Sequence, residues 1–255
     1  MAQSRTVLAL QSLDRKRQHL VIQFLSASGL NDQPDKSWHL HDKEGLLNPL
    51  PAKNRVLLYR AQLSKANLVN SDLSGAMLVG TNLREANLSC DPPDSRDPNK
   101  CSDLSKADLR GANLHLAKLL DTNLSFANFE GANLEVTSFT GAYLYSANLR
   151  GADLSLAKLR LAHLSGANLS KAILLATDLH QTTDLAPEQL EGRDPPLLCG
   201  SALPEGFTVN PNRDCDRLPQ ILLERDPEYF KTLKDAQDFV NVWRQQKWTD
   251  ELPGK

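Results

Sequence analysis

The sequence lacks an excess of charge of either sign, and it lacks any long apolar run. Its 255 residues include 29 basic and 31 acidic side chains, which gives a net charge of −2 at pH 7. A nucleic-acid-binding surface needs clustered lysine and arginine, so we expect no nucleic-acid partner. No apolar run reaches the roughly 18 residues of a membrane-spanning helix. The N-terminal residues show no secretory signal pattern, so we expect a cytoplasmic protein without a membrane partner, unless a leader has been removed.

The motifs of common enzymes and metal sites are also missing. No CxxC pair, HExxH helix, P-loop or glycine-rich phosphate loop occurs. Only four cysteines are present, and their spacing gives no reason to expect a metal cluster. His115, His163 and His180 fall on separate faces of the repeat described below, and no serine or aspartate completes a catalytic set. We therefore predict a protein that is not an enzyme and has no cofactor.

What the sequence has instead is a leucine at every fifth position. Seven five-residue units precede an interruption and sixteen follow it, over residues 56–180. Phe129 and Phe139 replace leucine at two of the centres. A small residue, most often alanine, stands two positions before each centre, and Asn or Asp usually lies between them. A fixed period of this kind indicates a repeat architecture.

A five-residue period fits neither an amphipathic helix nor a single strand. Within each unit the small residue and the leucine are two positions apart, so both side chains point to one side of an extended segment. Short Asn and Asp side chains bond to nearby backbone groups and favour tight turns. The pattern therefore predicts an all-β solenoid with a ladder of large side chains inside. Representative members of that core ladder are Leu109, Phe129, Phe139, Leu149 and Leu169.

The units Ala66-Asn67-Leu68, Ala107-Asp108-Leu109-Arg110-Gly111 and Ala152-Asp153-Leu154 resemble the A(N/D)LXX motif of the pentapeptide-repeat family. The resemblance implies a right-handed quadrilateral β-helix in which four repeats form one square coil. On that basis the 23 units form nearly six coils. Because the open end of a solenoid exposes core side chains and unpaired backbone, we expect α-helical caps at one or both ends.

An inserted loop of eleven residues interrupts the repeats. Removing Asp91 to Cys101 restores the five-residue register, which places Cys90 and Cys101 at the two feet of the loop and near disulfide distance. The alternatives are a disulfide, which would indicate an oxidising compartment, and two reduced thiols beside a surface insertion. Cys199 and Cys215 form a second candidate pair. The loop 91–101 is either decoration or a recognition element.

The segment before the repeats, residues 1–55, lacks the period. An amphipathic helix is predicted at 12–28, followed by an irregular approach to the first coil at 31–55. We expect this helix to cap the solenoid. An independent interaction helix is the alternative.

The segment after the repeats, residues 181–255, also loses the period. It is rich in proline up to about residue 225. Asp226 followed by Pro227 predicts the start of a helix over about 227–247. This helix would close the other end of the solenoid, lie along its side or form a homodimer.

Outward side chains decide what a solenoid can bind, and residues 20 apart share a column. Arg110, Glu130 and Arg150 alternate in sign along one column and should form weak surface ion pairs. Charges on the outward positions are mixed, and no face carries one sign. An apolar ridge stands out, and either the C-terminal segment or a partner protein should cover it. The ridge contains Leu116, Val136, Leu156, Leu161 and Leu175.

Two functions compete on this basis. The first is a non-enzymatic scaffold that binds a protein partner, not identified by the sequence, through the solenoid surface, the loop 91–101 or the apolar ridge. The second is a mimic of duplex DNA that regulates a topoisomerase, a role of some family members. Mimicry requires a strongly acidic face, so the mixed charges disfavour it. An enzyme would need a ligand-sized pocket formed against the solenoid by the flanking segments.

Overall fold

The structure, a computed structural model, describes residues 60, 63–69, 71, 73, 76–90, 101–245 and 248. Within them the repeats form a stack of 20-residue coils, because parallel bridges join residues 20 apart, as in the series Asn128, Asn148 and Asn168. Four five-residue units fit in 20 residues, so each coil has four sides. The predicted helix at 12–28, the approach at 31–55 and residues 91–100 of the inserted loop lie outside the described residues.

Backbone hydrogen bonds hold each coil to the next. Leu109 N donates to Asn128 O at 2.7 Å, and Asn128 N donates to Ala107 O at 2.8 Å. The same two bonds recur at equivalent positions of the later repeats. The middle residue of each unit is therefore bonded to the preceding coil, and the residues on either side of it, such as Ala127 and Phe129, bond to the following coil. The solenoid is stabilised by the stacking of neighbours, since no single unit encloses a core of its own.

A tight turn ends each five-residue unit. Ala112 N donates to Leu109 O at 3.0 Å, and the residue two positions after the leucine has a positive φ in most units. The polar residue before the leucine supports the turn, as where Asn128 Oδ1 accepts the Glu130 amide at 3.1 Å. This is the backbone role that the sequence predicts for the short polar side chains.

Val136 is strained at one of these turns, because its φ of 58° lies in the left-handed region that β-branched side chains avoid. Asparagine tolerates this region, so Val136→Asn should raise the free energy of unfolding by about 1 kcal/mol. The reverse change, Gly131→Val, should lower it by about 1 kcal/mol. Gly131 has a φ of 66°, and a Cβ there would meet no atom within 4 Å. Urea denaturation measures both effects, and unchanged stability in both variants would contradict this prediction.

Ladders of leucine, phenylalanine and alanine fill the interior of the coils. Phe129 and Phe139 are fully buried, and their rings meet edge to face with centroids 6.2 Å apart. Leu109, Leu149 and Leu169 are at most 1% exposed. These side chains belong to a single apolar cluster that runs through the described coils.

The inserted loop leaves the coil register intact. Across it, bridged residues such as Asn82 and Asn113 are 31 positions apart instead of 20. The difference equals the 11-residue separation of Cys90 and Cys101. The structure joins these two cysteines in a disulfide, with Cα atoms 4.0 Å apart. The feet of the loop therefore meet within the wall of the solenoid.

The solenoid continues beyond residue 180, where the sequence predicts its end. Strand β1, Ile173–Leu175, pairs in parallel with strand β2, Leu197–Cys199. The connection includes a 3₁₀ turn at Pro187–Gln189, with proline at its first position, where the fixed φ of proline is compatible with a helical turn. Leu198 is fully buried in the same core as the repeats. The added partial coil does not follow the five-residue period that defines residues 56–180.

Two helices follow the last coil, α1 at Leu218–Arg225 and α2 at Leu233–Arg244. Helix α2 begins at a capping box. Thr232 Oγ1 accepts the Asp235 amide at 3.1 Å, and the Asp235 carboxylate accepts the Thr232 amide at 2.9 Å. In the described part of the chain, neither of these helices nor any other is long and apolar enough to cross a membrane.

The predicted helix over 227–247 is therefore wrong at its start, and helix α1 is not predicted at all. The Asp226 carboxylate accepts the Tyr229 amide at 3.1 Å, which closes a turn between the helices instead of capping α2. Pro219 is one of the prolines of the proline-rich segment. It lies in the first turn of α1, where proline is compatible with a helix.

Helices α1 and α2 pack along one side of the solenoid and form a second apolar core. The disulfide between Cys199 and Cys215 lies inside this core. Gly200 permits the close approach of α2, because a Cβ at this position would collide with the Trp243 carbonyl. The fully or largely buried members on the two sides are Ile173 and Leu175 of the solenoid and Leu218, Leu222, Phe230, Ala236 and Val240 of the helical segment.

Candidate functional site

The C-terminal helices divide the predicted apolar ridge. Leu175 is fully buried beneath them, and Leu156 and Val136 are half-buried. Leu116 and Leu161 are 39% and 48% exposed. The chain's own C-terminal segment thus covers one end of the ridge, which is one of the two alternatives that the sequence leaves open. The use of the other end as a partner surface stays a prediction.

A cluster of aromatic side chains lies on the opposite side of the solenoid. Phe126, Tyr143 and Tyr145 are each about half exposed. The rings of Phe126 and Tyr145 meet edge to face with centroids 5.3 Å apart, and Tyr143 stacks on His163 at 4.9 Å. We call these four side chains the aromatic face. Each coil has four units, one on each side. The units that carry the aromatic face are separated by two positions from the units beneath the helices, so the two groups lie on opposite sides of the coil.

The surroundings of the aromatic face are polar but carry little charge. His163 Nδ1 lies 2.7 Å from the hydroxyl oxygen of Thr183. Interface cores are enriched in tyrosine and phenylalanine and depleted of charged residues, so this composition is typical of a contact surface. The sequence contains a signal for this surface, because Tyr143 and His163 are 20 positions apart and therefore share a column. The neighbouring outward residues are Asn123, Ser125, Ser146, Ser165 and Gly166, and the charged Asp103 and Lys106 lie in the adjoining coil.

Charged side chains of both signs occupy the side that carries the predicted ion-pair column. Arg150 pairs with Glu130 of the neighbouring coil at 3.6 Å, as the sequence predicts. Arg110 differs from the prediction, because its guanidinium makes two bonds, of 2.9 and 2.7 Å, to the carboxylate of Asp108. Asp108 belongs to the same five-residue unit as Arg110, so its carboxylate reaches the guanidinium within one coil. The predicted partner, Glu130, lies in the next coil. This side of the described coils is therefore not uniformly acidic.

A cleft of about 540 Å³ lies between the C-terminal helices and the solenoid. A solenoid side alone is flat, so the cleft exists because α1 and α2 stand over it. Its inner wall is formed by outward residues of successive coils, among them Arg84, His115, Glu135, Asp153 and Ser155. Its outer wall is formed by Leu222, Arg225, Asp226, Tyr229, Phe230 and Phe239.

Glu135 and His115 pair on the inner wall of this cleft, with 3.2 Å between Glu135 Oε2 and His115 Nδ1. Burial raises the pKa of Glu135 above its ordinary value. The pairing with His115 opposes the shift, and the charges of Asp153 and Asp226 add to it. The carboxylate form of Glu135 is thus poorly solvated and gains from any further positive charge placed beside it.

The raised pKa of Glu135 makes the stability of the protein depend on pH. A carboxyl whose pKa is raised on folding stabilises the folded state when the pH is below 4.5, the ordinary pKa of the group. This contribution is lost as the pH rises through the pKa of the folded state. The wild type should therefore lose stability relative to Glu135→Gln between pH 4 and pH 8. Urea unfolding of both proteins at the two pH values measures this. A difference that does not change with pH would contradict the prediction.

Ser155 adds a buried hydroxyl to the same wall. The residue is 4% exposed, and its Oγ has no hydrogen-bond partner among the described residues. It is therefore not paired with His115 as a nucleophile is paired with its base in hydrolases. In the part of the chain that the structure describes, no group of three or more His, Cys, Asp or Glu side chains is arranged to hold a metal ion.

Comparison with known proteins places this architecture in a family. A family model for pentapeptide repeats matches in eight copies, over residues 56–89, 100–135, 137–174 and 157–183. Among curated proteins, none matches the chain.

Several solved structures are similar to the chain. A pentapeptide repeat protein (Rfr23) from the cyanobacterium Cyanothece 51142 is 34% identical, and the match covers 42% of this chain and 85% of that one with a TM-score of 0.25. HetL from Nostoc sp. strain PCC 7120, a protein involved in heterocyst differentiation regulation, is 28% identical over 61% of this chain and 78% of its own, with a TM-score of 0.22. A thylakoid lumen pentapeptide repeat protein of Arabidopsis thaliana is 25% identical over 59% and 76%, with a TM-score of 0.28.

The matched residues coincide with the coils that the parallel bridges define. Proteins built from these repeats are generally structural repeat proteins without enzymatic activity. The chain belongs to the pentapeptide-repeat family.

Proposed function

We propose that this protein is a non-enzymatic scaffold that binds a protein partner, and that the aromatic face is its principal contact surface. The observation that carries the proposal is the half exposure of Phe126, Tyr143 and Tyr145 on a side with little charge. An exposed apolar cluster with a polar rim is typical of a protein interaction site. The open end of the ridge, at Leu116 and Leu161, and the loop 91–101 are further contact candidates.

The coils make such a surface rigid. The units that carry Tyr143 and His163 are bridged to each other, and neighbouring strands lie about 4.8 Å apart. Tyrosine and phenylalanine have few rotatable bonds, so they lose little conformational entropy when a partner binds. A rigid face of this kind binds a partner without first being ordered.

The scaffold as a whole has nearly six right-handed coils in this proposal. The segment after residue 180 closes the C-terminal end, and the predicted helix at 12–28 closes the other. Burial of Leu190 and Leu198 in the core of the repeats supports the first of these closures. Burial of Ala236 and Val240 against the solenoid argues against a homodimer formed through the apolar side of α2.

Affinity purification from an extract of the source cell tests the contact surface. The triple variant Phe126→Ser, Tyr143→Ser, Tyr145→Ser should recover at least about tenfold less of the partner that the wild type retains. A matched control, Leu233→Ser with Val242→Ser at exposed positions of α2, should retain it. Equal recovery by the wild type and the aromatic-face variant would overturn the proposal.

Light scattering on the same proteins distinguishes a second copy of the chain from a different partner. We expect a mass near the 28.2 kDa of one chain for the wild type and for both variants. A wild-type dimer that the aromatic-face variant abolishes would identify the partner as a second copy. A dimer that persists in this variant would show that the contact lies elsewhere.

A further inference from the structure

The cleft between the helices and the solenoid has the size and enclosure of a ligand site. Its volume of about 540 Å³ falls within the range of roughly 300–1,000 Å³ that small-molecule pockets occupy. Its two walls belong to different parts of the fold. They are held together by a bond from Arg225 Nη2 to Gly151 O at 3.1 Å and by the second apolar core. The cleft is thus part of the folded framework.

Negative charge in the cleft exceeds the positive charge available to neutralise it. Glu135, Asp153 and Asp226 supply three carboxylates to the walls. Arg84 pairs with Glu85 at 3.3 Å, whereas Arg225 donates to the neutral Gly151 carbonyl and keeps its positive charge. Three carboxylates are thus set against one guanidinium that has no carboxylate partner of its own among the described residues. His115 faces Glu135 and is charged only when protonated. A cationic group entering the cleft would therefore be attracted by carboxylates that lack full compensation.

Aromatic rings form the outer wall opposite Glu135 and Asp153. Phe230 packs against Tyr229 and Phe239, with ring centroids 4.8 and 5.4 Å apart, and Tyr229 and Phe239 meet at 6.2 Å. Each contact is edge to face, so the three rings form one cluster. Carboxylates together with aromatic rings are the usual surroundings of a bound ammonium or guanidinium group.

Ser155 points independently to a ligand. Its side chain is more than nine-tenths buried in the wall of the cleft, and its Oγ has no partner among the described residues. A buried hydroxyl without a hydrogen bond costs stability, so it is expected to bond with a group that enters the cleft. An N–H donor of an organic cation fits this position, because a hydroxyl oxygen accepts hydrogen bonds.

We propose that the cleft binds an organic cation, an ammonium or guanidinium group carried either by a small molecule or by a side chain of a polypeptide. The cation lies between Glu135 and the ring cluster, and Ser155 Oγ accepts one of its N–H groups. The site is on the side opposite the aromatic face, so this inference does not rest on the proposed scaffold function.

Isothermal titration calorimetry on the full chain tests this site. L-argininamide should bind, and N-acetyl-L-citrullinamide, in which neutral amide and urea groups replace both cations, should bind at least about tenfold more weakly. Glu135→Gln should weaken L-argininamide binding about tenfold, whereas Glu130→Gln on another side should leave it unchanged. Equal affinity for the two ligands, or equal affinity of the Glu135 variant and the wild type, would overturn the proposal. So would the absence of binding up to about 10 mM.

Two further variants keep the test decisive. Asp226 lies in the exposed turn between the helices, so the Asp226→Asn variant should fold even if the Glu135→Gln variant does not. Asp226→Asn should also weaken L-argininamide binding. The aromatic-face triple variant should bind L-argininamide as the wild type does, which separates failure of this site from failure of the scaffold proposal. A short peptide with a single arginine identifies the source. If the peptide binds more tightly than L-argininamide, the natural cation is a polypeptide side chain. If the peptide binds more weakly, the natural cation is part of a small molecule.

Discussion

Replacement of Phe129 by alanine should lower the free energy of unfolding by about 3–5 kcal/mol. The Phe129 side chain is fully buried, and its ring packs edge to face against Phe139. Truncation removes apolar contacts and leaves a cavity. The backbone beside it, at Asn128, is bridged to Asp108 on one side and Asn148 on the other, so the walls have little freedom to close. A loss of this size is a large part of the stability of a typical domain, which is about 5–15 kcal/mol.

Phe126→Ala is the matched control, because it removes the same side chain three positions earlier in the chain. Phe126 is 53% exposed, and it lies on the aromatic face outside the core. Its truncation should cost less than about 1 kcal/mol. Chemical denaturation of the two variants and the wild type measures the difference. Equal losses would show that the two rings are equally buried, contrary to the ladder described above.

Removal of the disulfide between Cys199 and Cys215 should cost about 3 kcal/mol, the value expected for a closed loop of its size. The sequence separation is 16, and both cysteines are buried in the second apolar core. The bridge links strand β2 to the segment that leads into helix α1. The double variant Cys199→Ala, Cys215→Ala should therefore weaken the attachment of α1 and α2 to the solenoid.

Hydrogen exchange read by mass spectrometry locates this effect. In the double variant the amides of α1 and α2 should exchange faster, while those of the central coils should keep their protection. Cys90→Ala with Cys101→Ala is the control, because that pair closes the inserted loop at a different place in the fold. Exchange of α1 and α2 at the wild-type rate in the Cys199 and Cys215 variant would contradict the prediction.

The coils were predictable because their physical cause repeats within the sequence. A leucine at every fifth position and a small residue two positions before it determine which side chains point inward. The buried Phe129 and Phe139 occupy leucine positions and follow the same rule. The coil register across the inserted loop was also predictable, since the feet at Cys90 and Cys101 must meet for the period to resume.

The C-terminal part was predicted less well because it depends on tertiary packing. Leu198 continues the core ladder, but its unit no longer follows the five-residue period. Asp226 has the chemistry of a helix cap, and the structure uses it in a turn that lets α1 and α2 pack together. The start of α2 is set by the capping box of Thr232 and Asp235.

The two candidate sites show the same contrast. The aromatic face follows from the 20-residue column spacing, and its members are visible in the sequence once they are placed on one side of the coil. The cleft depends on where α1 and α2 pack, so Glu135 and Ser155 acquire their setting only when those helices cover them. Spacing alone places His115 and Glu135 in one column. It does not reveal the burial that perturbs the pKa of Glu135.

Radical footprinting read by mass spectrometry tests the central claim, that a protein partner binds the aromatic face. In the protein alone, Phe126, Tyr143 and Tyr145 should be oxidised readily, whereas the buried Phe129 and Phe139 should be protected. In the complex purified with the wild type, the three exposed rings should become protected. Unchanged oxidation of all three in that complex, with new protection on the ridge at Leu116 and Leu161, would contradict the account.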